Sequence, residues 1–171
     1  TAKVRRALRE CGVGPEHRVL EIGCGWGALA ECAARDFGAQ VTGVTLSKEQ
    51  LAWGRQRLRN AGLGGDLRYQ DYRDIQDEPF DAIVSIEMFE AVGEKWWPAY
   101  FRRVRESLRP GGRACIQTIT IADERFAPTV PQSQADRTYR NIPIVSVASA
   151  LAKGGFDRIV LGQKYVPDPD G

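Results

Sequence analysis

The stretch "VLEIGCGWGALAE", residues 19–31, joins an apolar run to a helical pattern through three glycines at alternate positions. Downstream of the glycines, Leu29, Ala33 and Phe37 recur at the spacing of a buried helix stripe. We therefore predict a strand over 18–22, a glycine-rich turn and a helix. Such a turn brings backbone N–H groups and a helix N-terminus to the carboxyl edge of a sheet, where open α/β sheets bind ligands.

Predicted strands and helices alternate along most of the chain. An amphipathic helix over 1–11 begins it, and a capping box, with Ser47 as N-cap and Gln50 reaching back to it, starts a helix that ends near Asn60. The other predicted elements are strands at 39–46, 67–72, 80–86 and 113–121, and a helix between 97 and 109 that "RPGG", 109–112, ends. This alternation predicts an α/β fold with a Rossmann-like, doubly wound, mostly parallel sheet covered on both sides.

The pattern becomes irregular after Phe126. The segment 127–143 contains three prolines and many polar residues, which predicts a loop. A short helix capped by Ser146 and a last strand over 156–166 are expected to follow. We predict a single domain over 1–171, with a Rossmann-like core at 1–126 and a divergent part at 127–171.

Composition excludes several classes of protein. The chain has 171 residues, 27% of them charged, and a net charge of +2, which is typical of a globular protein and too weakly basic for a dedicated nucleic-acid binder. No apolar run approaches the roughly 18 residues of a membrane span, and no signal segment is recognisable, so a cytoplasmic location is expected. The four cysteines lack metal-like spacing, which predicts reduced thiols and no metal site. The single histidine, His17, is expected to be exposed in a turn and excludes His-based triads.

Two cofactors compete for the glycine turn. Gly23, Gly25 and Gly27 have no side chain to block a close-lying nucleoside, and with Ala28 they also satisfy the looser dinucleotide pattern of NAD enzymes. An NAD site would need an acid at the end of the second strand, but 45–47 is Thr-Leu-Ser. The segments "LEIGCG", 20–25, "QDYRD", 70–74, "FDAIVSIEMFE", 80–90, and "LRPGG", 108–112, together resemble the signature of class I S-adenosylmethionine (SAM)-dependent methyltransferases.

Longer segments resemble one family of these enzymes. "VTGVTLSKEQL", 41–51, "DYRDI", 71–75, "FDAIVSIEMFEAVG", 80–93, and 97–126 look like the cyclopropane-fatty-acyl-phospholipid synthase family, which includes the mycolic acid methyltransferases. The resemblance covers about residues 3–126. It implies that SAM is the methyl donor and that the acceptor is the double bond of an unsaturated acyl chain in a phospholipid. The protein would then work in the cytoplasm, in peripheral contact with the inner face of the membrane.

The resemblance also implies roles for individual residues. Gly23, Gly25 and the backbone between them would border the methionine part of SAM, and Ile86 would lie beneath its sulfonium. Thr45, Leu46 and Gln50 would lie along the ribose. Asp71 and Tyr72 would flank the adenine. The predicted cofactor contacts are Glu21, Gly23, Cys24, Gly25, Trp26, Gly27, Thr45, Leu46, Gln50, Asp71, Tyr72 and Ile86.

Two residues are expected to carry catalysis. The resemblance implies that Glu90 binds a bicarbonate ion, which acts as the base, and that the backbone of Ile119 helps to hold it. Two anions repel each other, but the bicarbonate hydroxyl can donate a hydrogen bond to the carboxylate. Glu90 is thus predicted to orient the base. Glu87, three residues earlier, is expected on the same helix face.

Several departures from the family leave alternatives open. Ala91 stands where the family often has a histidine. The family's segment before the first helix, its lipid-facing tyrosine segment and its C-terminal cysteine have no counterpart, and the chain lacks an initiator Met, so a shortened or altered protein is expected. A methyltransferase acting on another small molecule and a cofactor-binding remnant without catalysis remain alternatives. Trp96 and Trp97 are expected to pack against the following helix or to form a lipid-facing lip.

Overall fold

The computed structural model describes residues 2–118, with the backbone of 120–121 and 142–143. Helices and strands alternate from the start of this part of the chain. The elements are α1 Ala2–Glu10, β1 Arg18–Ile22, α2 Ala28–Phe37, β2 Gln40–Thr45, α3 Lys48–Asn60, β3 Asp66–Tyr69, β4 Phe80–Ile86, α4 Trp97–Glu106, β5 Leu108–Gln117, β6 Thr120–Ile121 and β7 Ile142–Pro143. Short 3-10 turns lie at Tyr72–Asp74, Phe89–Ala91 and Glu94–Trp96.

The first five strands form one parallel sheet in the order β3-β2-β1-β4-β5. The chain winds outward from β1 through β2 to β3, and then crosses back to continue through β4 to β5. The winding therefore reverses between β1 and β4, and a crevice for ligands is expected outside the carboxyl ends of these two strands. The predicted doubly wound parallel sheet is confirmed.

Both faces of the sheet are covered by apolar side chains. Val19 and Val84 face a core built with α1, α2 and α3, whereas Leu20 and Ile83 face a core built with α4. The alternation follows from the strand period of two, and both strands are buried along almost their whole length.

Three predicted boundaries were wrong. The third strand ends at Tyr69 because Asp71 accepts a hydrogen bond from the Arg73 N–H at 2.9 Å and so caps a 3-10 turn. "RPGG" does not end the helix, which stops at Glu106; it lies inside β5, where the pairing with β4 shifts register after Leu108. The strand predicted over 113–121 ends at Gln117.

The predicted capping box at the start of α3 forms only in part. Ser47 Oγ accepts from the Gln50 N–H at 3.2 Å, as predicted. The reciprocal bond is replaced, because the Ser47 N–H donates to Thr45 Oγ1 at 3.2 Å. Thr45 Oγ1 in turn donates to Gln50 Oε1 at 3.3 Å, so the Gln50 side chain is directed to the end of β2.

The predicted features of the divergent part mostly lie outside the described residues. These are the helix capped by Ser146, the strand over 156–166 and most of the loop at 127–143, of which Ile142–Pro143 pairs in parallel with Thr120–Ile121. Among the helices that the structure describes, none is long and apolar enough to cross a bilayer.

Candidate functional site

The turn after β1 folds back over the end of β2. The N–H groups of Gly23 and Cys24 both donate to the Val44 carbonyl, at 3.0 and 2.9 Å. Since β1 pairs with β2 on one side and β4 on the other, this turn sits in the middle of the carboxyl edge. It is thus at the place where the reversal of winding predicts a ligand crevice.

The three glycines of the turn have different roles. All three have positive φ, of 84° at Gly23, 48° at Gly25 and 76° at Gly27, which disfavours any side chain. A Cβ at Gly23 would lie 2.7 Å from Met88 Cγ, and one at Gly27 would lie 2.9 Å from Gly54 Cα. A Cβ at Gly25 would meet no described atom within 4 Å. A side chain at Gly23 or Gly27 would thus meet protein, whereas one at Gly25 would enter space that no described atom fills. That these glycines border a cofactor stays a prediction.

The other two residues of the turn differ in exposure. Cys24 is buried, and its Cβ would lie 2.8 Å from a Cβ placed at Gly43 of β2. Cys24 can therefore reach a ligand only through its backbone. Trp26 is 52% exposed, and its ring meets that of Trp53 edge-on at 6.2 Å. Trp53 was not predicted from the sequence to lie beside this turn, although it is on the same helix as Gln50.

Glu21 is a buried acid directly beneath the turn. Its side chain is 6% exposed, and Oε2 has no hydrogen-bond partner among the described residues. Burial raises the pKa of Glu21 well above its ordinary value, and a hydrogen bond from the Ala30 backbone only partly opposes this. Burial, with the neighbouring Glu21 charge, also raises the pKa of the Cys24 thiol to about 12. Cys24 is thus a neutral thiol at physiological pH and a poor nucleophile.

Replacing Glu21 with Gln should stabilise the cofactor-free protein at neutral pH. The folded state holds the Glu21 proton more tightly than the unfolded state does. This carboxyl therefore destabilises the fold increasingly as pH rises above the unfolded pKa of about 4.5 towards the raised folded pKa. Urea unfolding from pH 4.5 to 8 should give E21Q a higher free energy of unfolding than the wild type at pH 8. This difference should vanish near pH 4.5. Equal urea midpoints for E21Q and the wild type at pH 8 would contradict a raised pKa of Glu21 in the folded state.

The three residues that are predicted to lie along the ribose meet at the end of β2. Thr45 and Gln50 are joined by the hydrogen bond described above, and Leu46, between them in the chain, is mostly exposed. The structure therefore brings this predicted set together. Its polar atoms, Thr45 Oγ1 and the Gln50 amide, lie at the same edge as the glycine turn.

The predicted adenine residues lie at the end of β3. Asp71 pairs with Arg73 Nη2 at 2.6 Å, and the hydrogen bonds from Arg73 hold its pKa below the ordinary value. Asp71 is thus ionised and already used as a cap, whereas the half-buried Tyr72 packs edge-on against Tyr100 with ring centroids 5.2 Å apart. On β4, which pairs with β1 on the other side of the sheet's centre, Ile86 is half-buried and packs against the core formed with α1, α2 and α3.

The two acids after β4, Glu87 and Glu90, lie in different backbone conformations. Glu87 has a left-handed φ of 53° and pairs with Lys3 Nζ at 2.6 Å, whereas Glu90 lies in the 3-10 turn Phe89–Ala91. The prediction that they share a helix face is wrong, because the reversal at Glu87 precedes the turn. Glu90 is half-buried next to the fully buried Phe89. Ile119, the second predicted catalytic residue, lies outside the described residues.

The two tryptophans at the start of α4 differ in burial. Trp97 is buried, and its Nε1 donates to the Val92 carbonyl at 2.7 Å, which anchors the start of α4. Trp96 is exposed beside Arg73 and Lys95. His17, predicted to be exposed, is half-buried, and its Nδ1 accepts from the Gly14 N–H at 3.3 Å.

Curated proteins similar to this chain are lipid methyltransferases. Tuberculostearic acid methyltransferase UfaA1 of Mycobacterium tuberculosis is 45% identical over 130 residues, which are 74% of this chain and 30% of the relative. The cyclopropane-fatty-acyl-phospholipid synthase of Escherichia coli is 42% identical over 118 residues, which are 69% of this chain and 30% of that protein. The chain thus spans about 30% of the length of these relatives.

Two solved structures with the same fold are cyclopropane synthases. The cyclopropane synthase MmaA2 from Mycobacterium tuberculosis has a TM-score of 0.79 at 29% identity and covers 91% of this chain and 60% of its own. The mycolic acid cyclopropane synthase CmaA1, complexed with S-adenosylhomocysteine (SAH) and CTAB, has a TM-score of 0.77 at 28% identity, with the same coverage. These neighbours confirm the class I SAM-dependent methyltransferase fold.

A family model described as mycolic acid cyclopropane synthetase matches residues 1–139, a range that includes the glycine turn, the end of β2 and Glu90. The resemblance noted in the sequence is therefore confirmed: this chain belongs to the mycolic acid cyclopropane synthetase family.

Proposed function

We propose that this chain is the catalytic core of a SAM-dependent methyltransferase of the cyclopropane-fatty-acid synthase type. It would transfer a methyl or methylene group to the double bond of an unsaturated phospholipid acyl chain, at the inner face of the membrane. The family and the names of the relatives support this activity. The structural observation that carries it is the turn after β1, where Gly25 borders open space and a buried Glu21 oxygen has no hydrogen-bond partner among the described residues.

The residues of the site fit a sulfonium nucleoside. Glu21 Oε2 needs a donor, which an ammonium group of the methionine part would supply, and a positive charge there would favour ionised Glu21. Thr45 and Gln50 offer hydroxyl and amide groups to ribose hydroxyls, and Tyr72 offers an aromatic ring to a base. The acid that an NAD ribose requires is missing at the end of β2.

The chain's own part in the chemistry is orientation and exclusion of water. SAM supplies an electrophilic methyl group. An alkene is a poor nucleophile, so its alignment in a dry crevice lowers the barrier. The buried Phe89 and Trp97 surround the Glu90 turn with apolar surface. Glu90 would hold a bicarbonate ion, because its carboxylate would accept a hydrogen bond from the bicarbonate hydroxyl. The bicarbonate would then act as the base.

The cofactor choice has a direct thermal test. At about one hundred times its Kd, SAH should stabilise the fold by about 2.7 kcal/mol, which raises the Tm by about 5–10 °C for a chain of this length. NAD at the same concentration should give no shift. Differential scanning fluorimetry measures both. An equal response to the two nucleotides, or none to SAH, would contradict the SAM site.

The acceptor is tested by transfer of a labelled methyl group from SAM. We expect label in vesicles of phospholipids with unsaturated chains and none in vesicles with saturated chains of equal length. Label in soluble acceptors alone would favour the small-molecule alternative. Cofactor binding without turnover on any acceptor would favour a non-catalytic remnant.

A further inference from the structure

Tyr100 of α4 has a buried hydroxyl that packing does not explain. Its side chain is 0% exposed, and its ring packs on Phe89 at 5.2 Å and on Phe101 at 5.3 Å. Tyr100 lies on the buried face of α4 with Phe101 and Val104, which accounts for the ring. The hydroxyl has no hydrogen-bond partner in the part of the chain that the structure describes. A phenyl ring would fill the same space without burying an unpartnered polar group.

The hydroxyl lies at the carboxyl edge of the sheet. The polar groups that act on it are Ser85 at the end of β4, Tyr72 after β3 and Glu90 after β4. The Ser85 hydroxyl donates its single proton to the Ile22 carbonyl at 3.0 Å. Burial raises the pKa of Tyr100, the nearby Ser85 hydroxyl only partly opposes this, and the charges of Tyr72 and Glu90 act in the same direction as burial. Tyr100 therefore keeps its proton and has a hydrogen bond to donate.

We propose that Tyr100 is a positioning residue for Glu90, whose carboxylate accepts the Tyr100 hydroxyl proton as a hydrogen bond when the site is occupied. The inference rests on the proposed function, because it assumes a role for Glu90 in turnover. A carboxylate is the strongest acceptor among the groups around the hydroxyl. Phe89, whose ring touches that of Tyr100, immediately precedes Glu90 and holds its turn against α4. The bond would fix the direction in which Glu90 faces the substrate.

The test replaces the hydroxyl alone. Y100F should keep the Tm of the cofactor-free protein unchanged or higher and keep SAH affinity within twofold, while kcat for methyl transfer falls at least tenfold. In an E90Q background, Y100F should have no further effect on kcat. The matched control is Y69F, which removes the hydroxyl of a tyrosine that is more than half exposed and should change none of these values.

A second readout does not depend on turnover. In SAH-loaded protein, any change of Tm caused by Y100F should be small, because SAH affinity stays within twofold, and it should not add to the change caused by E90Q in the double variant. Additive losses, or a lower Tm for cofactor-free Y100F, would overturn the inference. So would unchanged kcat in Y100F when E90Q is slow. Unchanged kcat in E90Q would instead overturn the proposed function.

Discussion

Replacing Glu90 with Gln should lower methyl transfer by a factor of about 10²–10⁴ while SAH affinity stays within about twofold of the wild type. Glutamine keeps the size of the side chain and one acceptor oxygen, but it removes the negative charge. A bicarbonate hydroxyl then loses a charge-assisted hydrogen bond, and the amide N–H₂ can present a donor where an acceptor is needed. The predicted cofactor contacts lie in β1 and the turn after it, at the end of β2, at the start of α3, after β3 and at the end of β4, and they do not include Glu90, so binding should persist.

The nearby Glu87 offers a matched control for this variant. It is also an acid after β4, but it is about half exposed and pairs with Lys3. E87Q removes one surface ion pair, which usually contributes little, and should keep turnover within about twofold. Single-turnover kinetics with labelled SAM and calorimetry with SAH would separate the two effects. Equal losses of turnover and SAH affinity in E90Q would contradict a catalytic role for Glu90. If E87Q were as slow as E90Q, the loss of turnover would be a general effect of charge.

The periodicity of apolar residues was enough to predict the sheet and the helices that flank it. β1 and β4 were predicted with the bounds that the structure has, because strands buried on both faces are nearly continuous apolar runs. Helix α3 was predicted from the Ser47 cap and the glycine beyond its end. Local signals of this kind do not depend on the rest of the chain.

The features that were missed depend on residues distant in sequence or on the backbone conformation. Nothing near Gly27 reveals that α3 approaches it at Gly54, and nothing near Gly23 reveals Met88. The spacing of Glu87 and Glu90 fits a helix face, but the left-handed φ of Glu87 cannot be derived from the spacing. A Tyr100 hydroxyl at the carboxyl edge of the sheet likewise becomes visible only when β4 and α4 are packed together.

The unequal roles of the glycines predict that single alanine substitutions separate folding from cofactor binding. In G27A, the left-handed φ costs about 1–2 kcal/mol and the clash with Gly54 Cα about 1–3 kcal/mol more, since backbone on both sides cannot yield cheaply. Urea unfolding should therefore show a loss of about 2–5 kcal/mol. That is a large part of the total stability of an ordinary domain.

The variant G25A should behave in the opposite way. Its φ of 48° carries the same kind of strain, but the new Cβ meets no described atom, so the loss of stability should stay near 1–2 kcal/mol. The methyl group instead enters the space proposed for the cofactor, and SAH affinity should fall at least tenfold. A control for strain alone is G62A, which has a φ of 64° after α3, where a Cβ also meets no described atom within 4 Å.

The comparison of the three variants isolates the crevice. If Gly25 borders the cofactor, G25A and G62A should lose similar stability, and only G25A should lose affinity in calorimetry with SAH. G27A should lose clearly more stability than G62A, since strain is common to both and only G27A adds the contact with Gly54. Wild-type SAH affinity in G25A would mean that the nucleoside does not lie in the space beside Gly25. The glycine turn would then serve only to let α2 and α3 pack closely against the sheet.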